Sequence, residues 1–138
     1  MLIGKIAPNI KLDQANGNGF NLHDLKSEYT ILFFWDEDCN SCLSAISDIK
    51  EHEARLKESG AEIVSIFSGN NDAYFKDFTK SKNMANWLNT KITSETDAFK
   101  AYNISAFPKF FILDQDKKIV SKQIGANQLL EVMNSLNR

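Results

Sequence analysis

Cys39 and Cys42 are the residues of this chain whose type and spacing best suit them to chemistry. They are its two cysteines, in the stretch FFWDEDCNSC, and three acids, Asp36, Glu37 and Asp38, run directly into the first of them. With two residues between them, the sulfurs fall on one turn and can close a disulfide with little backbone movement. The N-terminus of a helix offers unpaired N–H groups and a partial positive charge, which stabilise a thiolate, the attacking form of a thiol. The first cysteine of such a pair is normally the accessible, attacking sulfur, and the second resolves the mixed disulfide. Two other readings stay open, half of a metal site and an inert buried pair. A structural zinc site needs four ligands, typically two close pairs. The histidines, His23 and His52, are isolated in the sequence and read as surface or packing residues. Cys-x-x-Cys beside a βαβ pattern favours redox work over both alternatives.

The surrounding pattern supplies that context. YTILFFW, Tyr29 to Trp35, is a continuous apolar, β-branched and aromatic run, as expected of a strand covered on both faces. From Cys42 the period becomes helical, with Leu43, Ile46, Ile49 and Leu56 on one side and Gly60 closing the helix. The cysteines thus sit between the carboxyl end of a buried strand and the start of a helix, where α/β sheets collect their chemistry. EIVSIF, Glu62 to Phe67, predicts a second buried strand, and GNND a loop with a helix cap. Asp72 to Lys82 predicts a helix with Tyr74, Phe75 and Phe78 on one face, and Glu95 to Tyr102 a shorter one. KFFIL, the turn DQDKK and IVSKQI predict a hairpin, and Asn127 to Leu136 a last helix. Near the start, IKLDQANGNGFNL predicts a short hairpin turning at Asn16-Gly17 or Asn18-Gly19. The fold class is therefore α/β, a mixed central sheet flanked by helices.

The bulk numbers bound the function. A chain of 138 residues, 43% hydrophobic and 25% charged, predicts one globular domain over residues 1–138, large enough to hold together without disulfide staples. The net charge of -2 comes with no basic stripe, which argues against nucleic acid as a partner. The longest apolar run, Ile31 to Trp35, is far shorter than the roughly 20 residues that span a bilayer. MLIGKIAPNIKL lacks the regions of a signal peptide, so the expectation is either a cytoplasmic protein or an excised domain carrying an added Met1.

Taken together, these segments resemble a family. FFWDEDCNSC resembles the thioredoxin-fold active site, and YNISAFPKFFILDQDKKIVSKQIGA resembles that fold's second signature, a loop leading to a cis-proline, an apolar strand and an Asp turn. GKIAPNIKL with FNLHDLK resembles the N-terminal hairpin of the TlpA-like and AhpC/TSA branch, the membrane-facing bacterial thiol–disulfide oxidoreductases. Matching segments run from Gly4 to about Ala126. The resemblance implies a three-layer sandwich with an N-terminal β-hairpin extension. It implies that Cys39 and Cys42 are catalytic, that Phe107-Pro108 is a cis peptide facing them, that Phe107, Pro108 and Trp35 serve substrate binding, and that Trp35 also supports the loop. The backbone before the proline would meet an extended substrate segment. No cofactor beyond the Cys39–Cys42 disulfide and no metal are implied. The partners implied are protein disulfides or dithiols and a membrane-bound electron donor, with an extracytoplasmic location if the chain is an excised domain.

The chain departs from this pattern in several places. Asn40-Ser41 replaces the usual Gly-Pro between the cysteines, and Asp38 stands where a Trp is common. Phe33 lies where thioredoxins carry a buried Asp, and Ala45 where many TlpA-like proteins carry a Glu. Asp36, Glu37 and Asp38 are the acids at hand to replace those carboxylates. If they face Cys39 they oppose the helix dipole, which predicts a moderately reactive thiol. Phe107, where Thr or Val is frequent, would cover the disulfide. Two other functions are weighed against the oxidoreductase. A peroxiredoxin-like peroxidase would need Pro-x-x-x-Thr/Ser-x-x-Cys, which the residues before Cys39 do not provide. A thioredoxin-like binding module with little turnover would keep the fold without the buried acid.

Overall fold

The computed structural model describes residues 2–82, 84–92, 95–122 and 124–137, with nothing said of the side chains of residues 95–97 and 99. Tyr29–Trp35 forms the strand β3, and all of its residues after Tyr29 are buried, as its unbroken apolar run requires. On its two flanks lie β4 (Ala61–Phe67), parallel to it, and β6 (Lys109–Leu113), antiparallel. β7 (Ile119–Lys122) pairs with β6 to complete the predicted hairpin. The expected strand IVSKQI continues through Gln123, which lies outside the described residues, as does Met1. At the other side, β1 (Lys11–Gln14) and β2 (Gly19–Asn21) form the N-terminal hairpin, turning at Gly17 with φ +88°. Among the described residues the sheet has seven strands in the order β2-β1-β5-β4-β3-β6-β7, where β5 is Leu88–Ile92.

One member of that sheet does not follow from the sequence pattern. β5 (Leu88–Ile92) lies between β4, its parallel partner, and β1, its antiparallel one. Its sequence LNTKI is too polar to read as an interior strand, yet each polar side chain makes at least one bond, although Asn89 Oδ1 stays buried without a partner. Asn89 Nδ2 donates to Met84 O at 2.7 Å, Thr90 Oγ1 to Ser65 O at 2.8 Å, and Lys91 pairs with Asp72 at 2.9 Å.

The sheet separates two apolar clusters, giving the expected three layers. On the first face, Ile31, Phe33 and Trp35 meet α1 (Cys42–Glu58), Phe75 of α2 (Asp72–Ser81), and Leu129 and Met133 of α4 (Leu129–Leu136). On the second, Leu32 and Phe34 meet Ala98 and Tyr102 of α3 (Glu95–Tyr102), together with Ala7, Ile10, Leu12 and Leu22 from the N-terminal segment. The alternation along β3 sends successive side chains to opposite layers. The Tyr102 hydroxyl donates to the carbonyl of Pro8, and His23 Nε2 lies 2.6 Å from Ala7 O, so the second face is tied to that segment.

α1 follows its predicted period with one correction. Its buried stripe is Cys42, Ala45, Ile46, Ile49 and Leu56, joined by Glu53, whereas Leu43 is 53% exposed. Cys42 takes the place one turn before Ile46, and Leu43, about 100° further round, turns outward. Burial alone would raise the Glu53 carboxyl's pKa. Lys50, at 2.7 Å, and Asn86 bond to it, and the balance holds it below the usual range. Gly60 ends the helix at φ +88°, and Asn71 Oδ1 caps α2 by accepting from the Tyr74 N–H at 3.0 Å.

Candidate active site

The site is assembled where β3 stops. Trp35 is its last residue, and a six-residue loop, 36–41, carries the chain into α1, whose first residue is Cys42. Within that loop Asp36 folds the backbone back on itself: its Oδ1 accepts from Asp38 N–H at 3.1 Å, and its carbonyl accepts from Cys39 N–H at 3.4 Å. The Cys42 N–H then donates to Cys39 O at 3.4 Å, so both cysteines belong to one tight turn. They form a disulfide, with Cα atoms 5.5 Å apart. Cys39 is half-buried and packs against the first-face cluster; Cys42 is 2% exposed and belongs to it.

The second signature reaches the same end of the sheet. Phe107-Pro108 is a cis peptide, as the resemblance implied. Phe34 pairs with Lys109 in the antiparallel β3–β6 ladder, and continuing that register sets Pro108 beside Trp35, where the cysteine loop departs. Phe107 and Pro108 are both half-buried. The Phe107 ring is packed among the second-face cluster with Ala101 and Ile104, while Cys39 packs on the first face. The aromatic expected over the disulfide is thus placed in the other layer.

Trp35 requires a correction. The resemblance places it among the substrate-binding residues, yet its side chain is wholly enclosed. Its ring lies 4.9 Å from that of Phe67 and 4.8 Å from that of Phe78, with Tyr74 and Phe75 also around it. Its indole N–H donates to Ser65 Oγ at 2.9 Å in the interior. The aromatic face of α2 covers it, so it supports the loop from below and no substrate reaches it. Phe33, at the position of the missing carboxylate, stacks on Phe110 at 5.1 Å and meets Trp35 and Trp87, and Ala45 is buried as well.

The three acids point in different directions. Asp36 is half-buried; burial is the main cause that raises its pKa, with Glu37 and Asp38 adding to it and the Asp38 N–H bond working the other way. Asp38 is exposed. Glu37 reaches across to the loop between β4 and α2, where its carboxyl lies on Gly69. That contact is not foreseen from the sequence, nor is Ser65 as the partner of Trp35. A glycine just after a buried strand is the signal that could have prompted the first.

Three comparisons bear on this arrangement. The AhpC/TSA family model matches residues 3–122. The thiol-disulfide oxidoreductase ResA of a Bacillus cereus strain is 30% identical over 125 residues, covering 91% of this chain and 71% of that protein. ResA of Bacillus subtilis (strain 168) is 29% identical over 124 residues, 88% of this chain and 67% of that one. Among solved structures, the thioredoxin domain of a thiol-disulfide oxidoreductase from Bacteroides vulgatus superposes with a TM-score of 0.88 at 21% identity, covering 100% of this chain and 99% of that one. A thiol:disulfide interchange protein from Bacteroides sp. gives 0.88 at 22% identity, covering 98% and 90%.

Proposed function

This chain belongs to the AhpC/TSA family and is a thiol–disulfide oxidoreductase of thioredoxin fold, and we propose that Cys39 is its attacking sulfur and Cys42 its resolving one. The observation that carries the assignment is the unequal burial of the two sulfurs at the start of α1: one is reachable from outside and the other is 2% exposed. In the reducing direction the Cys39 thiolate attacks a protein disulfide and one substrate sulfur leaves; Cys42 then attacks Cys39 and releases the other. The dithiol itself carries the two electrons and ends as the Cys39–Cys42 disulfide, so no separate cofactor is needed.

Phe107-Pro108 docks the substrate. The likeness of this loop to the thioredoxin-fold signature supports that role, in which the backbone before the cis-proline meets an extended substrate strand. Trp35 supports the loop, and Asp36, Glu37 and Asp38 modulate the pair. Asp38, exposed beside Cys39, favours substrates with basic surroundings at their cysteine. The likeness to the extracytoplasmic branch supports action outside the cytoplasm, with electrons supplied by a membrane-bound donor. Among the described residues no helix is long and apolar enough to cross a membrane.

Equilibration in glutathione or dithiothreitol buffers, read by alkylation and mass shift, tests the assignment. A single two-electron transition that vanishes in Cys39→Ser and in Cys42→Ser is the expected outcome. A midpoint near thioredoxin's roughly -270 mV identifies a reductant, and one near about -120 mV a disulfide donor. A pair that stays reduced in every buffer refutes it.

A further inference from the structure

Leu43 is the apolar residue of α1 that the core leaves out. It is 53% exposed and belongs to neither apolar cluster. The other large hydrophobic side chains that stand exposed among the described residues, Leu2, Ile3 and Ile6, lie in the N-terminal segment. A single apolar side chain in water needs no explanation by itself. What sets Leu43 apart is its place: it follows Cys42 directly, in the first turn of the helix, beside the disulfide.

Local geometry brings it close to the attacking sulfur. The Cα atoms of Cys39 and Cys42 are 5.5 Å apart, and one trans peptide adds at most about 3.8 Å, so the Leu43 Cα lies within roughly 9 Å of that of Cys39. Ser41 already has helical backbone angles, φ -95° and ψ -1°, and the Cys42 N–H bonds back to Cys39 O. The winding of α1 thus reaches back to Cys39, and Leu43 stands one turn beyond it. Side chains so spaced are neighbours on a helix surface, and each leans toward the helix N-terminus. Leu43 therefore leans toward the end of α1 that carries Cys39. Asn40, Ser41 and Ser44 around it are exposed and uncharged, so an apolar group arriving there desolvates no charge of theirs.

The exchange reaction delivers such a group. In the mixed disulfide the substrate cysteine is bonded to Cys39, which holds the two Cα atoms about 4.4–6.8 Å apart. The residues flanking the substrate cysteine are one peptide further, about 3.8 Å. These are the spans that separate Leu43 from Cys39, so a flanking side chain of a substrate lying over the first turn of α1 meets Leu43.

We propose that Leu43 is a specificity-determining residue, which receives an apolar side chain next to the substrate cysteine and so directs the enzyme to disulfides set in apolar sequence. This rests on Cys39 being the attacking sulfur.

Two short peptides test it, each with one cysteine in mixed disulfide with nitrobenzoate thiol, flanked on both sides by leucine in one and by serine in the other. The Cys39 thiolate bonds to the peptide sulfur, and the coloured nitrobenzoate thiolate leaves. Cys42 then bonds to Cys39, and the departing peptide sulfur takes up the proton that Cys42 gives up. The protein's dithiol is oxidised and the peptide's disulfide reduced. Each rate of colour release is divided by that of the same peptide with glutathione, which removes differences in intrinsic reactivity. The reduced protein is expected to favour the leucine peptide by about fivefold, the scale of partly burying one leucine. Leu43→Ser is expected to bring the two peptides within about twofold of each other, and Leu43→Met, apolar and of similar volume, to keep the preference. General damage to the thiol or the fold slows both peptides alike and leaves the ratio unmoved. Equal rates in the wild-type protein overturn the proposal, as does a preference that survives Leu43→Ser. Colour released by Cys39→Ser at the wild-type rate fails differently: it removes the attacking sulfur and this inference with it.

Discussion

Trp35→Phe tests whether the residue under the active-site loop acts by support or by touching substrate. The indole N–H donates to Ser65 Oγ at 2.9 Å, and both side chains are fully buried. Phenylalanine cannot make that bond, and a buried hydroxyl left without its donor costs about 1–3 kcal/mol. The smaller ring also leaves a void among Phe67, Phe75 and Phe78, adding roughly 1 kcal/mol at about 24 cal/mol per Å³. The expected loss is therefore about 3 kcal/mol, or ~10 °C in the thermal midpoint for a domain of this size. Circular dichroism of the oxidised protein in guanidinium chloride measures it without relying on tryptophan fluorescence. Ser65→Ala orphans the other partner, so the double variant should be less damaged than the sum of the singles by about 1–2 kcal/mol. At a temperature where the variant is folded, the rate of exchange with a small disulfide should change by less than about threefold, under 1 kcal/mol of barrier. A coupling near zero would refute the hydrogen-bond argument. A variant of wild-type stability with a collapsed exchange rate would refute the supporting role.

Two further outcomes are expected. Burial pushes the Tyr102 phenol above the ordinary tyrosine range. Between the unfolded value near 10 and the higher folded one, the native chain keeps a proton that the unfolded chain has lost. Stability is thus full below about pH 10 and falls above it by roughly 1.4 kcal/mol per pH unit from this group. Tyr102→Phe, which also loses the bond to Pro8 O, should start lower yet lack that limb when urea unfolding is compared at pH values either side of 10. In the reduced protein, the alkylation profile of Cys39 should not place its thiolate well below about pH 6. Asp38→Asn should move it to lower pH, since removing a like charge favours the thiolate. An unmoved profile would show that the acidic loop does not act on Cys39.

What could be read from the sequence was local and periodic. The buried strand of Tyr29–Trp35, the helix opening at Cys42, the cap at Asn71 and the glycine closing at Gly60 each follow from a pattern a few residues long. What escaped was decided by contacts between distant segments. Leu88–Ile92 becomes an interior strand with Met84, Ser65 and Asp72 each bonding one of its polar side chains. Trp35 is enclosed because the aromatic face of α2 folds over it, which no pattern within β3 reveals. Phe107 packs against one layer and Cys39 against the other, a placement no local pattern shows. The seat of Glu37 on Gly69 joins two loops that are neighbours only because β3 and β4 are parallel.

The two rims of the sheet are guarded differently, and this bears on how the molecule meets an extended peptide without polymerising. One rim ends in β2, only three residues long. Along the other, the N-terminal segment runs beside β7: Gly4 N–H donates to Ile119 O at 2.8 Å, Ile119 N–H to Lys5 O at 2.9 Å, and Ala7 N–H to Lys117 O at 2.8 Å. Long bare rims invite strand addition by any passing chain, and hence aggregation. Here the extended backbone of a client finds little to zip onto at either side. The cis-proline ahead of Lys109 stands instead at the end of the sheet where the cysteine loop leaves β3. Both rims thus discourage a second chain from extending the sheet, and with it the stacking of one molecule on the next.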